Sequence, residues 1–407
     1  MMTVTGYVHP AFEAARGALG KQLARYGGGA SVTVVHRGEV VVDVVAGVRD
    51  AAGTPWTPDT LSLSFSTTKG VASTLVHALV TQGRVDYDAP VARYWPAFAQ
   101  GGKGDITVRT LMSHRAGLWD VRRLVDDASQ MLDWDGMLER LERATPAPPS
   151  PHARSGYHGL TYGWLVGGLV EHVTGKPFAQ ALADELAGPL GLDGCFIGAP
   201  EGVLARRATL LGVRAVGART GAPAGGRGRP RRREGLQARA LRLAWRAANA
   251  LAGHDPGAVT QALMPRGIRA FDWNADATAR ACIPAANGLF TSRSLARIYA
   301  MLAEGGALGG VRLLSPEVLR QATRRHGRGG DDVLLLPMGW RLGYHGVGRR
   351  TPDAFGHFGF GGSGAWCDPS RRLAVAMTLN SGVGTPLGDL RIMRMNRAIV
   401  RAVDRLA

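Results

Sequence analysis

The chain lacks the features of a disulfide-stapled, zinc-stapled or membrane-spanning protein. Its 407 residues include only three cysteines, Cys195, Cys282 and Cys367, which are far apart and form no CxxC pair. We therefore expect neither a disulfide framework nor a structural zinc site. No apolar run approaches the roughly 18 residues that a membrane-spanning helix needs. The first residues show no basic start followed by an apolar segment, so the sequence predicts no secretory signal and a cytoplasmic location.

Lysine is also scarce, whereas arginine is abundant and unevenly placed. Only four of the 49 basic residues are lysines. Residues 201–250 hold twelve arginines and two glutamates, so this window carries +10 of the chain's net charge of +17. The excess positive charge therefore belongs mainly to one segment of the chain, and a lysine inside a motif is informative.

This basic segment has three interpretations. Residues 221–235 are rich in Gly, Pro and Arg, while residues 236–252 predict a helix with arginines along one face. The first interpretation is a solvated arginine face on an ordinary packed helix. The second is contact of residues 227–246 with an anionic membrane surface, which would make the protein peripheral to the membrane. Nucleic acid is not expected, because no recognised binding module accompanies the charge.

The hydrophobic pattern places strands at both chain ends and helices in the middle. Residues 30–46 and residues 364–380 each predict a β-hairpin, and residues 10–26 and 387–407 predict terminal helices. Helical patterns dominate the region between them. The sequence thus predicts an α/β (α+β) fold, in which an antiparallel sheet from both chain ends is flanked by the terminal helices and carries an inserted helical domain.

This organisation divides the chain into two parts. We expect residues 1–62 and 290–407 to form the sheet domain and residues 63–289 to form a mainly helical domain. The helical part contains a basic insertion at about residues 201–253.

A serine and a lysine stand three residues apart at the start of a predicted helix. Ser66-Thr67-Thr68-Lys69 follows a β-like run and opens an apolar helix over residues 66–82. Residues three apart share a helix face, so Lys69 is expected beside the Ser66 hydroxyl. A lysine whose pKa is lowered by burial can take the proton of a serine nucleophile. The alternative is that Ser66 merely caps the helix, and the SxxK pattern by itself leaves both interpretations open.

Two further segments can supply partners for such a pair. Tyr157 precedes a Gly-rich helix start, and a phenol near an ammonium can relay a proton to a leaving group. Near the chain end, residues 355–364 crowd small residues onto a strand, which suggests that something approaches the backbone closely. The GxGxxG within it is not interpreted as a dinucleotide site, because a hairpin rather than a helix follows. Ser363 lies in no GxSxG elbow and is interpreted as a loop residue.

The order of these motifs resembles the serine β-lactamase and penicillin-binding-protein superfamily over nearly the whole chain. It is most similar to the class C-related, family VIII type esterases and to similar bacterial lipase/esterase proteins. The resemblance implies a β-lactamase/transpeptidase-like fold, with Ser66 as acyl nucleophile and Lys69 with Tyr157 as the acid–base pair. It also implies an oxyanion hole from the backbone N–H groups of Ser66 and Phe360, which follows His357-Phe358-Gly359.

Two departures from the class C pattern bear on the substrate. The tyrosine motif Tyr-x-Asn is replaced by Tyr157-His158-Gly159, so the asparagine amide that would bind a lactam side chain is missing. The Lys-Thr-Gly motif is replaced by His357-Phe358-Gly359, so a fixed cation gives way to a histidine that is neutral or charged depending on its surroundings. Both changes favour an uncharged ester over an anionic peptide or lactam.

We therefore expect a serine hydrolase of the carboxylesterase or lipase type that acts on short-chain or lipid-like esters through an acyl-enzyme on Ser66. The alternative enzyme is a β-lactamase or D-alanyl-D-alanine carboxypeptidase. The non-enzyme alternative is a catalytically inactive, penicillin-binding-like protein at the membrane surface. No cofactor is expected, and no metal, because the eleven histidines form no HExxH or similar spacing. The sequence indicates no oligomeric state.

Overall fold

The structure is a computed structural model that describes residues 3–148, 155–215, 255, 257–326, 330–348, 350–384 and 390–406. The predicted helix at 236–252 and the segment 227–246 lie outside these residues. The described strands are β1 (Val4–Val8), β2 (Gly29–His36), β3 (Glu39–Gly47), β4 (Ser62–Leu63), β5 (Cys195–Phe196), β6 (Val213–Ala215), β7 (Leu289–Phe290), β8 (Ala307–Leu308), β9 (Val311–Arg312), β10 (His345–Gly348), β11 (Thr351–Phe358), β12 (Gly364–Asp368), β13 (Leu373–Leu379) and β14 (Gly382–Gly384).

The described α-helices range from 5 to 15 residues in length. They are α1 (Glu13–Tyr26), α2 (Thr67–Thr81), α3 (Val108–Met112), α4 (Trp134–Arg143), α5 (Thr161–Thr174), α6 (Phe178–Leu182), α7 (Ala258–Leu263), α8 (Asp276–Arg280), α9 (Ser292–Ala303), α10 (Pro316–Thr323) and α11 (Leu390–Asp404). In the part of the chain that the structure describes, no helix is long and apolar enough to cross a membrane.

A seven-stranded antiparallel sheet joins the two ends of the chain. Its strand order is β1-β3-β2-β13-β12-β11-β10, and the central pair is β2 with β13, in which Val34 lies opposite Val375. Every residue of β2 is buried, which requires that both faces of the sheet are covered. The predicted fold of a sheet built from both chain ends is therefore confirmed.

Helices cover the two faces of this sheet. Helices α1 and α11 pack on one face, where Leu19, Leu23 and Ile399 meet Val32 and other valines of the sheet. Helix α9 lies on the other face, where the hydroxyl groups of Thr33 and Ser292 are 2.7 Å apart. The helical middle of the chain shares its apolar core with this second face. The two predicted domain boundaries remain a prediction.

A small three-stranded sheet connects the sheet region to the start of α2. Strand β7 lies between β4 and β5, with Ser62 opposite Phe290. The chain leaves β4, passes through Phe65 and enters α2 at Thr67. Phe65 has φ = +45°, a conformation that is sterically unfavourable for a bulky side chain and that often marks functional turns. The structure thus places Ser66 on a constrained turn between a strand and a buried helix.

Candidate active site

Ser66 does not act as the cap of the helix that it precedes. Its side chain forms no capping hydrogen bond to any described N–H group, and its backbone is already helical, with φ = −65° and ψ = −9°. Ser66 is partly exposed, whereas the four residues after it are buried. The hydroxyl group instead lies beside Lys69 and Tyr157. The alternative that the Ser66 side chain serves only as a helix cap is therefore excluded.

Lys69 lies one helical turn after Ser66 and is completely buried. Its Nζ is 3.0 Å from Ser66 Oγ and donates a hydrogen bond of 2.9 Å to the carbonyl oxygen of Ala285. None of the acidic side chains that the structure describes forms an ion pair with it. Burial therefore lowers the pKa of Lys69 well below the ordinary lysine range, and no counter-charge opposes this shift. This shift favours the neutral amine form of Lys69.

Tyr157 approaches Ser66 from the other side. Its Oη is 3.0 Å from Ser66 Oγ, and Lys69 Nζ lies 5.1 Å from the centre of its ring. Burial raises the pKa of Tyr157 above the ordinary phenol range, an effect that the hydrogen bond to Ser66 opposes and the charge of Asp331 reinforces. The phenol is therefore protonated at neutral pH and can donate to Ser66 or to a leaving group.

The turn before Tyr157 is fixed by the helix α3 region. Ser155 Oγ donates to the carbonyl of Ser113 at 2.8 Å, and the N–H of Gly156 donates to the carbonyl of His114 at 2.8 Å. His114 has φ = +59°, so its carbonyl and ring occupy positions that an ordinary helix end would not give. The ring of His114 packs edge-on against Tyr157 with ring centres 5.1 Å apart.

The third motif meets the start of α2 at very short range. A Cβ atom on Gly359 would lie 2.2 Å from the carbonyl oxygen of Ser64, so only glycine fits there. Strand β11 ends at Phe358, and the N–H of Gly359 then donates to the carbonyl of Ser363 at 2.7 Å. Within the described ranges, neither the N–H of Ser66 nor that of Phe360 donates a hydrogen bond. The two N–H groups that the resemblance assigns to an oxyanion hole are therefore not occupied by other acceptors among the described residues.

His357, in the position of the family's lysine, is buried and uncharged. Burial is the main reason that the pKa of His357 lies well below the ordinary value, and His345 and Lys69 lower it further. Its Nε2 has no hydrogen-bond partner among the described residues. His345 accepts a hydrogen bond of 3.0 Å from the N–H of Phe358 and so holds the strand that carries the motif. No cation is therefore fixed at this position at neutral pH.

An aromatic wall, defined as Phe65, Phe271, Trp273 and Phe360, flanks the serine. Phe65 packs edge-on against Phe360 and Trp273, with ring centres 5.5 and 5.2 Å apart, and Trp273 packs against Phe271 at 4.9 Å. Phe271, Trp273 and Phe360 are only partly buried. The surface next to Ser66 on this side is thus apolar and accessible.

Two residues that the motif analysis did not identify lie against Tyr157. Asp331 accepts a hydrogen bond from the N–H of Tyr157 at 3.2 Å, and Trp340 stacks on its ring with centres 5.2 Å apart. Burial raises the pKa of Asp331 to about 6, although its hydrogen bonds oppose this shift. Neither residue belongs to a motif, and Asp331 stands 174 positions from Tyr157.

Ser363 and the histidines do not form a competing centre. Ser363 is buried, and its Oγ accepts a hydrogen bond from the N–H of Leu379 at 3.3 Å. In the regions that the structure covers, no cluster of His, Cys, Asp or Glu has the arrangement of a metal site.

The fold and the site define a class of protein in which a serine at a helix start, a buried lysine and a phenol meet beside an antiparallel sheet. A family model described as Beta-lactamase matches residues 18–398, and the chain belongs to this family. The family that the three motifs predicted is therefore confirmed.

Individual relatives are similar over most of their length. The chain is 38% identical over 360 residues to a Mycobacterium tuberculosis (strain ATCC 25618 / H37Rv) protein named esterase/beta-lactamase LipL, covering 88% of this chain and 77% of that protein. A crystal structure of a family VIII carboxylesterase shares 32% identity and a TM-score of 0.82, covering 98% of this chain and 100% of that one. A crystal structure of a penicillin-binding protein homologue from Caulobacter crescentus shares 34% identity and a TM-score of 0.81, covering 98% of this chain and 100% of that one.

Proposed function

We propose that the protein is a carboxylic ester hydrolase that forms an acyl-enzyme on Ser66. The observation that carries this proposal is that Ser66 Oγ lies 3.0 Å from both Lys69 Nζ and Tyr157 Oη, on a constrained turn that leaves Ser66 partly exposed. A base and a proton relay thus face one hydroxyl group, which is the arrangement that nucleophilic catalysis needs. The relatives named as esterases support the same reaction class.

The pKa shifts favour Lys69 over Tyr157 as the base. As a neutral amine, Lys69 takes the hydroxyl proton while Ser66 Oγ forms a bond to the carbonyl carbon of the ester. The resulting oxyanion accepts hydrogen bonds from the N–H groups of Ser66 and Phe360. When the C–O bond to the alcohol breaks, the leaving oxygen takes a proton from Tyr157, and the Lys69 ammonium restores the phenol. Water then attacks the acyl-enzyme, which releases the carboxylic acid and frees Ser66.

The environment of the serine favours an uncharged, apolar ester. The neutral His357 offers no fixed cation to a substrate carboxylate. A Cβ atom on Gly159 would lie 2.3 Å from Leu263, so the position leaves no room for the amide side chain of class C enzymes. The aromatic wall offers an apolar surface in its place. These features support esters with apolar acyl or alcohol groups over β-lactams and D-alanyl peptides.

A substrate comparison tests this proposal. We expect the protein to hydrolyse p-nitrophenyl acetate, butyrate and phenylacetate with a higher kcat/KM than nitrocefin or a p-nitrophenyl ester that carries a free carboxylate. Ser66→Ala should abolish turnover, whereas Ser363→Ala, which changes a buried serine in another turn, should retain it. Faster turnover of nitrocefin than of the esters would support a β-lactamase instead. A folded protein that turns over neither substrate would be the non-catalytic alternative.

We further propose that the protein is cytoplasmic and that residues 227–246 bring it to an anionic membrane surface, as part of an insertion that borders the site mouth. This proposal rests on the sequence alone: residues 227–246 include eight arginines and one glutamate.

Vesicle binding and ester chain length test this second proposal. Deleting residues 221–235 should reduce co-sedimentation with phosphatidylglycerol-containing vesicles and leave binding to phosphatidylcholine vesicles unchanged. Binding of the full chain should weaken as salt rises, because salt screens exposed charges. The deletion should change KM for long-chain esters more than for acetate. Unchanged vesicle binding and chain-length preference would show that the segment is only a solvated loop.

A further inference from the structure

Asp331 is a buried carboxylate with an unusual number of donors around it. Its Oδ1 accepts hydrogen bonds from the N–H groups of Tyr157, Val333 and Leu334 at 3.2, 2.9 and 2.7 Å. Its Oδ2 accepts a fourth hydrogen bond, at 2.7 Å, from the indole N–H of Trp340. Asp331 is completely shielded from solvent. Hydrogen bonds to a charged acceptor in a dry environment are among the strongest in proteins, so this carboxylate fixes its donors firmly.

Two of these donors determine where the phenol of Tyr157 lies. The first is the N–H of Tyr157 itself, which sets the position of the backbone. The second is Trp340, whose ring stacks on Tyr157 at an interplanar angle of 12° with centres 5.2 Å apart. His114 packs against both rings, with centres 5.1 Å from Tyr157 and 4.4 Å from Trp340. One carboxylate therefore holds both the backbone and the stacking partner of Tyr157.

We propose that Asp331 is a positioning residue that, together with Trp340, holds the Tyr157 phenol at Ser66. The inference rests on the proposed role of Tyr157 as proton relay. Asp331 does not touch Ser66 and reaches the reacting atoms only through Tyr157. Its negative charge also opposes ionisation of the phenol, because a second negative charge nearby is unfavourable. Asp331 thus keeps the relay in place and in its protonated form.

Asp331→Asn removes the charge while preserving the shape of the side chain. The amide oxygen can still accept hydrogen bonds either from the backbone N–H groups or from Trp340. The amide NH2 then faces the other donor, so one of the two sets of hydrogen bonds is lost. A misplacement of about 1 Å in a catalytic group can cost about 10²-fold in rate. We expect kcat for p-nitrophenyl acetate to fall by about 10²-fold, with KM changed less than about twofold, because ground-state binding does not use the relay.

A mutant cycle separates positioning from general destabilisation. In the Tyr157→Phe background, Asp331→Asn should lower kcat by less than about twofold further, because residues that act through one group are not additive. A full additional loss in that background would overturn the proposal, as would wild-type kcat in Asp331→Asn alone.

Asp368→Asn is the matched control. Asp368 is also a fully buried carboxylate, at the end of β12, and it accepts from the N–H and Oγ of Ser370 and from Arg371 rather than from Tyr157. The Asp368→Asn variant should leave kcat unchanged. An equal loss in this control would show that any buried carboxylate has the same effect, which would also overturn the proposal.

Trp340→Phe keeps the test decisive if Asp331→Asn fails to fold. It retains an aromatic ring against Tyr157 but removes the hydrogen bond to Asp331, so kcat should fall, and the loss should again disappear in the Tyr157→Phe background.

The outcomes also distinguish this inference from the proposed function. If Tyr157→Phe is inactive while Asp331→Asn and Trp340→Phe are fully active, only the positioning role is wrong. If Tyr157→Phe itself has wild-type activity, the relay and the positioning role are both wrong.

Discussion

Lys69→Ala and Tyr157→Phe should each lower kcat by about 10²-fold or more, the scale of positioned acid–base catalysis. Lys69 and Tyr157 both contact the hydroxyl of Ser66 at 3.0 Å, and in the proposed mechanism each carries the same proton at a different stage. Loss of either one interrupts the same transfer. The double variant should therefore be little slower than the slower single variant. Steady-state kinetics with p-nitrophenyl acetate gives kcat for the two single variants and the double variant.

The chain offers a matched control for the lysine. Lys103 is the other fully buried lysine in the described ranges, and its Nζ donates to the carbonyls of Gln100, Glu142 and Ala144. Lys103→Met should lower thermal stability but leave the kcat of the folded protein unchanged. Fully additive losses for Lys69→Ala and Tyr157→Phe, or equal losses for both lysine variants, would contradict the assigned pair.

The pH dependence of the reaction provides a second signature of Lys69. In the proposed mechanism the neutral amine of Lys69 is the active form, so kcat/KM should rise with pH as Lys69 loses its proton. Because burial lowers the pKa of Lys69, this rise should be complete well below the pKa of about 10.4 of a free lysine.

Acidification should destabilise the folded protein steeply between about pH 6.5 and pH 4. Burial lowers the pKa of His158 and His345 to about 4 and that of His77 to about 3, and it places those of His114 and His357 well below the ordinary value. In this window the unfolded chain binds protons at these histidines and the folded chain does not. Stability is therefore present above pH 6.5 and is lost as the pH falls.

The expected slope is large because several buried groups act together. Each additional proton bound by the unfolded state changes the free energy of unfolding by about 1.4 kcal/mol per pH unit. Asp331 acts in the opposite direction, since its pKa of about 6 makes the folded state bind a proton first. The net slope should be several times the contribution of one proton.

Urea unfolding at pH 7.5, 6 and 5 measures this slope. His77 lies on α2, and its ring bonds to the carbonyl of Leu342 and to the phenol of Tyr87. His77→Gln should reduce the slope by about the contribution of one proton, about 1.4 kcal/mol per pH unit. A free energy of unfolding that is constant from pH 7.5 to pH 5 would contradict the assignment of neutral, buried histidines.

Local patterns predicted the parts of the structure that short-range geometry determines. The helical period over residues 66–82 placed Lys69 beside Ser66, because residues three apart share a face. The hairpins at both chain ends followed from alternating residues and turn signals. Helix α4 was not predicted, although Asp133 at its cap and Met137, Leu138 and Leu141 on one face give a detectable pattern. Strand β1 has mostly exposed residues and therefore lacks the apolar alternation of a buried strand.

The long-range parts of the site could not be obtained in this way. Tyr157 was brought to Ser66 only by resemblance to a family, since 91 positions separate the two residues. Asp331 and Trp340 carry no motif, because their role depends on a backbone N–H and a ring stack that only the folded chain creates. The crowding of small residues at the third motif did predict a close approach, and the partner is the Ser64 carbonyl against Gly359.

Mass spectrometry of the protein after reaction with a fluorophosphonate tests the central claim most directly. The organophosphonate should form one covalent adduct, and the modified peptide should place it on Ser66. Ser66→Ala should remain unlabelled, and Ser363→Ala should be labelled like the wild type. An adduct on Ser363, or no adduct on a folded protein that hydrolyses esters, would contradict Ser66 as the nucleophile.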